Sequence, residues 1–125
     1  PIRFYISCAI ACPFEGPIDP AAVRAVADRL LALLPDDESR TRIDIDLGDT
    51  IGVADPDDIV ALLTQFDAPV RRQITLHLHD TFGRAAACVR SALALGIRSF
   101  DGSVAGLGGC PYASTPEKRA PGNIS

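Results

Sequence analysis

The chain has 125 residues, 47% of them hydrophobic, 22% charged and 6% aromatic, the profile of a globular unit rather than of a disordered segment. Sixteen acidic residues outweigh twelve basic ones, for a net charge of −4, so nothing draws the chain to a phosphate backbone and nucleic acid is not an expected partner. Uninterrupted apolar runs such as Leu30 to Leu34 are far short of the roughly 20 residues of a spanning helix, so no membrane partner is expected either.

From Ile2 to Ile10 the sequence is rich in aromatic and β-branched residues and breaks at Pro13, Gly16 and Pro17, which predicts a buried strand followed by a loop. The chain has no Met and opens on this strand-like run, so it is expected to continue upstream. Asp19 and Pro20 then predict a helix start. Val23, Val26, Ala27, Leu30, Leu31 and Leu34 recur at helical spacing until Pro35, and Asp36 to Thr41 reads as a polar loop. In RIDIDLGDT, Ile43, Ile45 and Leu47 fall on one face of a strand and Asp44 and Asp46 on the other. Asp55 with Pro56 predicts a second helix with an apolar stripe of Ile59, Leu62, Leu63 and Phe66. ITLHLHD repeats the strand pattern, with Ile74, Leu76 and Leu78 opposite Thr75, His77 and His79. A third helix is expected from about Gly83 to Leu95, stopped by Gly96 at the left-handed C′ position. A last strand, Arg98 to Val104, sets Ser99, Asp101 and Ser103 on one face.

Four strands separated by three helices predict right-handed crossovers and a parallel α/β sheet. A doubly wound sheet buries apolar side chains on both faces, whereas these strands carry Asp, His and Ser at alternate positions. The expected fold is therefore a (β/α)8 TIM barrel, of which this chain supplies about the C-terminal half as one partial domain with no second domain.

The chemistry-bearing residues gather near the predicted strand ends. His77 and His79 lie two residues apart, so both imidazoles project to one side and can hold one divalent cation in adjacent positions. The alternative is a solvated pair at a sheet edge, with Asp80 capping the next helix. Gly106, Gly108 and Gly109 precede Cys110, a setting in which backbone can approach a ligand or a loop can move, and the thiol could then exchange a proton. Asp44, Asp46 and Asp49 form an acidic cluster around Gly48, of which Asp49, at the strand end, is the favoured site residue. Cys8, Cys12, Cys88 and Cys110 follow no disulfide or zinc framework and read as thiols in a reducing compartment.

YISCAIACPFEG, LGDTIGVADP, HLHDTFG and SVAGLGGCPYA, followed by APGN, together resemble hydroxymethylglutaryl-CoA lyases in order and approximate spacing over essentially the whole chain. The resemblance implies a carbon–carbon lyase that uses Mg2+ or Mn2+ to cleave the acyl-CoA substrate 3-hydroxy-3-methylglutaryl-CoA into acetyl-CoA and acetoacetate, a reaction of leucine degradation and ketone-body formation. It implies His77, His79 and Asn123 as metal ligands, Cys110 as a catalytic thiol on a mobile loop, His77 as a further proton carrier and Asp49 as an active-site acid. It also implies a homo-oligomer, expected as a dimer, in a bacterial cytoplasm or a mitochondrial matrix. The chain departs from the family pattern in four ways. No counterpart of the first-strand Asp ligand and its adjacent Arg is present; Asp46 stands where relatives commonly carry Ser; Pro35 to Arg42 replaces a shorter Gly-Cys connection; and Ser114 to Arg119 is longer than the usual loop. Lys118 and Arg119 in that loop are read as solvated charges rather than as contacts of a CoA phosphate. Two alternatives stand beside the lyase: an acyl-CoA condensing enzyme of the isopropylmalate and homocitrate synthase type, whose histidine motif usually reads H-x-H-N-D, and a non-catalytic half-barrel that dimerises over its strand edges.

Overall fold

A computed structural model of the protein describes residues 2–36, 39, 42–114 and 122–124. Strand β1 (Ile2–Ile6) is followed by a two-strand hairpin, β2 (Ala11–Cys12) and β3 (Gly16–Pro17), and by helix α1 (Pro20–Leu31). Then come β4 (Ile43–Asp49), α2 (Pro56–Leu63), the short α3 (Ala68–Arg71), β5 (Ile74–Leu78), α4 (Ala85–Ala94) and β6 (Ser99–Asp101). Two 3-10 turns, Val104–Gly106 and Pro111–Ala113, complete the described elements.

The main sheet has the order β1-β4-β5-β6, and every pairing in it is parallel. Spatial order thus equals chain order, the singly wound arrangement of a barrel wall; a doubly wound sheet reverses its strand order at a switch point. α1 packs on α2, and α2 on α4. Val23, Ala27, Ile59, Leu62, Leu63, Cys88 and Ala92 from these helices meet Ile43, Ile45, Leu47, Ile74 and Leu76 from the strands in one core. The stripe expected for α2 is buried in full, and Phe66, just beyond the helix end, is only 2% exposed.

Helix boundaries follow local chemistry. The Asp19 side chain accepts from Ala21 N at the start of α1. Asp55 and Asp58 form a reciprocal capping box at the start of α2, each carboxylate taking a backbone N–H near the other residue. Gly96 has φ +96° just past α4, the conformation expected of it.

The structure differs from the sequence expectations in five places. β1 ends at Ile6 rather than Ile10, because Cys8 turns the backbone into the left-handed region and residues 11–17 form a hairpin. α1 stops at Leu31, four residues before Pro35, although Leu34 is still buried. α3 was not expected; its signal was Asp67, whose side chain accepts from Val70 N, with Pro69 just inside the turn. α4 begins at Ala85, and Asp80, the anticipated cap, accepts from Ala85 N. β6 is only three residues long, since Val104 already opens a 3-10 turn. In the expected loop Asp36 to Thr41 only Asp36 and Ser39 are described, and Lys118 and Arg119 lie outside the described residues.

Candidate metal and active site

At the C-terminal ends of the strands a cavity of about 220 Å3 opens between β1, β4 and β5, lined by Tyr5, Ser7, Asp46, Thr50, His77 and His79 among others. Strand alternation places these groups on the face away from the helices. His77 Nε2 and His79 Nε2 face each other at 3.1 Å. Two donors at about 2.1 Å from an octahedral ion, in adjacent positions, lie about 3 Å apart, so this separation is that of a chelating pair. Burial, and then the neighbouring charge of His77, lower the pKa of His79 and favour the neutral imidazole that a cation requires.

A third donor comes from far along the chain. Gly122–Ile124 lies beside the end of β5: Asn123 bridges His79 in antiparallel fashion, Ile124 N donates to Leu78 O at 3.0 Å, and Asp80 N donates to Gly122 O at 3.2 Å. Asn123 Nδ2 donates to Ser103 Oγ at 2.8 Å and to Leu107 O at 2.9 Å. A backbone carbonyl can only accept, so this assigns the amide nitrogen and leaves Oδ1 as the free end. Among the described residues Asn123 Oδ1 and His79 Nδ1 are buried without a hydrogen-bond partner, the state of a group built to receive something further. No three His, Cys, Asp or Glu side chains converge into a metal-holding group among the described residues. Two imidazoles and an amide oxygen are groups that could hold one side of a divalent-cation sphere.

Below the histidines a charged network crosses the sheet. Arg3 on β1 reaches Asp44 at 2.5 Å, Asp101 at 2.9 Å and Asp46 at 3.4 Å, and Asp101 Oδ1 lies 2.6 Å from His77 Nδ1. One guanidinium cannot neutralise three carboxylates. Burial, and then the bond to Asp101 and that group's charge, push the Asp46 carboxyl up to about 7 against the pull of His77 and Arg3. Burial also raises Asp101, but the bonds from Asp46 and His77, with the charges of His77 and Arg3, outweigh it and hold Asp101 below the usual carboxylate range. Asp46 is 1% exposed, closed over by the network.

The remaining candidates lie elsewhere. Asp49 shares strand parity with Ile45 and Leu47, on the side away from His77, and does not line the histidine cavity. Its carboxylate accepts from Val53 N at 3.1 Å and Ala54 N at 3.0 Å, bracing the turn that leads into α2. Burial raises its pKa even against those bonds. Cys110 is 8% exposed, off the wall of that cavity, in the stretch between the two 3-10 turns. Cys8, Cys12, Cys88 and Cys110 are all free thiols. The structure thus brings together His77, His79 and Asn123, and leaves Asp49 and Cys110 outside the cavity. Arg3 and Asp101 were not singled out from the sequence as site residues, although the alternation that selected His77 also selects them: all three sit on the polar side of neighbouring parallel strands.

Sequentially ordered parallel strands, helices on one side only, and imidazole, amide and carboxylate groups at the strand ends define a segment of a (β/α)8 barrel with a polar site on the face where that fold keeps its chemistry. The family model described as HMGL-like matches residues 3–124. The chain belongs to the HMGL-like family. It is 47% identical over 114 residues to the hydroxymethylglutaryl-CoA lyase of Pseudomonas mevalonii, covering 90% of this chain and 35% of the relative. The HMG-CoA lyase of Brucella melitensis superposes with a TM-score of 0.80 at 37% identity, over 98% of this chain and 40% of that structure. An HMG-CoA lyase of Acinetobacter baumannii, solved in complex with coenzyme A and 3-methylmalate, superposes at 0.76 with 33% identity, over 98% and 37%. The chain spans about a third of the length of the curated relatives it matches.

Proposed function

We propose that this chain is the part of a hydroxymethylglutaryl-CoA lyase that carries the histidine side of its divalent-cation site, within one partial barrel domain that supplies about the C-terminal half of the barrel. The reaction is cleavage of 3-hydroxy-3-methylglutaryl-CoA to acetyl-CoA and acetoacetate. The observation that carries the reading is the facing pair of His77 Nε2 and His79 Nε2 at the strand ends, with Asn123 paired beside His79 and its Oδ1 unpartnered, in a chain of the HMGL-like family.

Mg2+ or Mn2+ would be held by His77, His79 and Asn123, and when bound supplies a Lewis acid for the substrate's oxygen atoms. The chain's own residues do the rest. Retro-aldol cleavage removes the proton of the 3-hydroxyl and delivers one to the thioester carbanion, so two proton carriers are needed. His77 faces the cavity and, besides its place as a cation ligand, is the first proton carrier in this reading. Cys110 is the second carrier in this reading, and the glycine turn before it, with positive φ at Gly106, Gly108 and Gly109, gives the loop the freedom to bring the buried thiol to substrate. Asp49 contributes by holding the Gly52–Ala54 turn against the end of β4.

Homodimerisation belongs to the same reading, as do the compartments named for relatives: mitochondrial and cytoplasmic forms occur among them alongside bacterial ones. A reducing compartment suits four free thiols. No helix among the described residues is long and apolar enough to cross a membrane.

In the full-length protein, His77→Ala and His79→Ala should each weaken Mn2+ binding and nearly abolish acetoacetate release, because each removes a ligand that its neighbours cannot replace. Mn2+ titration followed by electron paramagnetic resonance, with a coupled acetoacetate assay, measures both. Unaltered Mn2+ affinity in the two variants would remove the cation from the site.

A further inference from the structure

The two histidines are not equivalent. Parallel register sets His77 directly opposite Asp101, and Asp101 Oδ1 lies 2.6 Å from His77 Nδ1 while its Oδ2 takes a guanidinium N–H of Arg3 at 2.9 Å. His79 has no such partner: among the described residues its Nδ1 is buried and unbonded. A carboxylate can only accept, so the imidazole nitrogen facing Asp101 must carry the proton. The other nitrogen, Nε2, then presents a bare lone pair toward His79 and the cavity. Arg3 comes from β1, at the far side of β4, and its grip on the second oxygen stops the carboxylate from rotating away.

We propose that Asp101, anchored by Arg3, is a positioning residue that locks His77 in the Nδ1–H tautomer and aims its Nε2 at the cation and substrate, whereas no carboxylate stands behind His79, whose Nε2 faces that of His77. The cation half of this inference rests on the lyase reading, whereas the tautomer half does not. Asp101 touches neither substrate nor cation; it acts through His77. A carboxylate behind a ligating imidazole also raises the basicity of the ligand, and loss of such a partner costs about 10- to 100-fold in metal affinity.

An isosteric substitution gives the sharpest test. In Asp101→Asn the end of the side chain that meets the Arg3 guanidinium must be the amide oxygen, since an amide NH2 cannot accept, and this turns the NH2 toward His77 Nδ1. That nitrogen must then accept, and the proton moves to Nε2, as occurs when the aspartate behind a catalytic histidine is replaced by asparagine. Two-bond 15N–1H correlation spectra of the cation-free full-length protein at about pH 8, where free imidazole is neutral, read the tautomer directly, with His77 and His79 assigned through His77→Gln and His79→Gln. The expected result is Nδ1–H at His77 in the wild type and Nε2–H in Asp101→Asn, with Mn2+ affinity about 10- to 100-fold weaker in the variant. Wild-type His77 protonated at Nε2 would overturn the proposal with no variant needed. So would a swapped tautomer with unchanged Mn2+ affinity, which would leave Asp101 as an ion-pair partner of Arg3 alone. If the wild type shows the expected tautomer and the variant swaps it, but neither binds Mn2+, the locking of His77 stands and the lyase reading fails.

Discussion

Asp46 sits on a strand face otherwise given to polar groups, and its protonation is decided first by burial and then by its neighbours: Asp101 from β6, His77 from β5 and Arg3 from β1. Its folded pKa of about 7 lies above the unfolded value of about 3.9. The stability tied to this proton is therefore complete below about pH 4 and is lost as pH rises toward and through 7. Asp101, shifted the other way, titrates below that window. Asn at position 46 keeps an N–H for Asp101 and carries no titrating proton. Cation-free wild-type protein should thus lose Tm between pH 5 and pH 8 by more than Asp46→Asn does, and the variant should melt higher at pH 8. Parallel melting curves across that range would show that Asp46 is not the group holding the proton. Cys110 carries a second expectation at this scale. A proton-transfer group acts chiefly in the transition state, so Cys110→Ala in the full-length protein should lower kcat far more than it raises KM. Wild-type turnover would leave the thiol with a packing role and His77 as the main proton carrier.

Among the elements, the short run Gly122–Ile124 matters most for the site, because Asn123 reaches His79 only through this added strand pairing. Gly122 makes the approach possible. A methyl group there would overlap the carbonyl oxygens of Gly106 and Gly108, backbone atoms that cannot turn aside. Gly122→Ala should therefore push Asn123 off the end of β5 and weaken Mn2+ binding about as much as Asn123→Ala does, with little change in Tm, since the core between sheet and helices lies elsewhere. A calorimetric Mn2+ titration of the two variants makes the comparison; an unaffected Gly122→Ala would mean that the glycine loop, not the 122–124 segment, yields. Gly108 has the same kind of neighbour, as an added Cβ would stand 3.1 Å from Asn123 Nδ2. The glycines before Cys110 thus serve the asparagine as well as the thiol.

For the molecule as a whole, the decisive feature is that β1 and β6 each pair on one side only among the described residues. Their free edges leave backbone donors and acceptors available to further strands, and the polar site sits on the face that a closed barrel would enclose. Tyr5 and Ile2 on the β1 side are 67% and 51% exposed, Val104 and Leu107 beyond β6 are 87% and 68% exposed, and these apolar groups would be covered by neighbouring strands and loops. Residues 1–125 alone should accordingly associate at micromolar concentration and show no acetoacetate release with excess Mg2+ or Mn2+, because water would reach the cavity and, among the described residues, no carboxylate joins the three proposed cation donors. Light scattering and the coupled assay test both points. Turnover near that of full-length relatives would mean that the rest of the barrel adds nothing essential to the site.

What the residues determined by themselves was periodic. Alternation at two marked β4, β5 and their faces, recurrence at helical spacing marked α1 and α2, Gly96 marked the end of α4, and Asp-Pro pairs marked two helix starts, because each signal depends only on neighbours in the chain. The histidine pair was legible for the same reason, two residues on one strand having no choice but to face one way. Whatever depended on distant partners had to wait for the tertiary structure. Asp49 looked like a site residue by its place at a strand end, yet parity with Leu47 turns it toward the helices, where the turn into α2 takes its oxygens. Asp101 looked like one more polar residue on an edge strand until register put it opposite His77 and within reach of Arg3, 98 residues away in sequence. Protonation in that network was decided last of all. A carboxylate's pKa is set by the burial and charges around it, and those arise only when four strands from separate parts of the chain lie side by side.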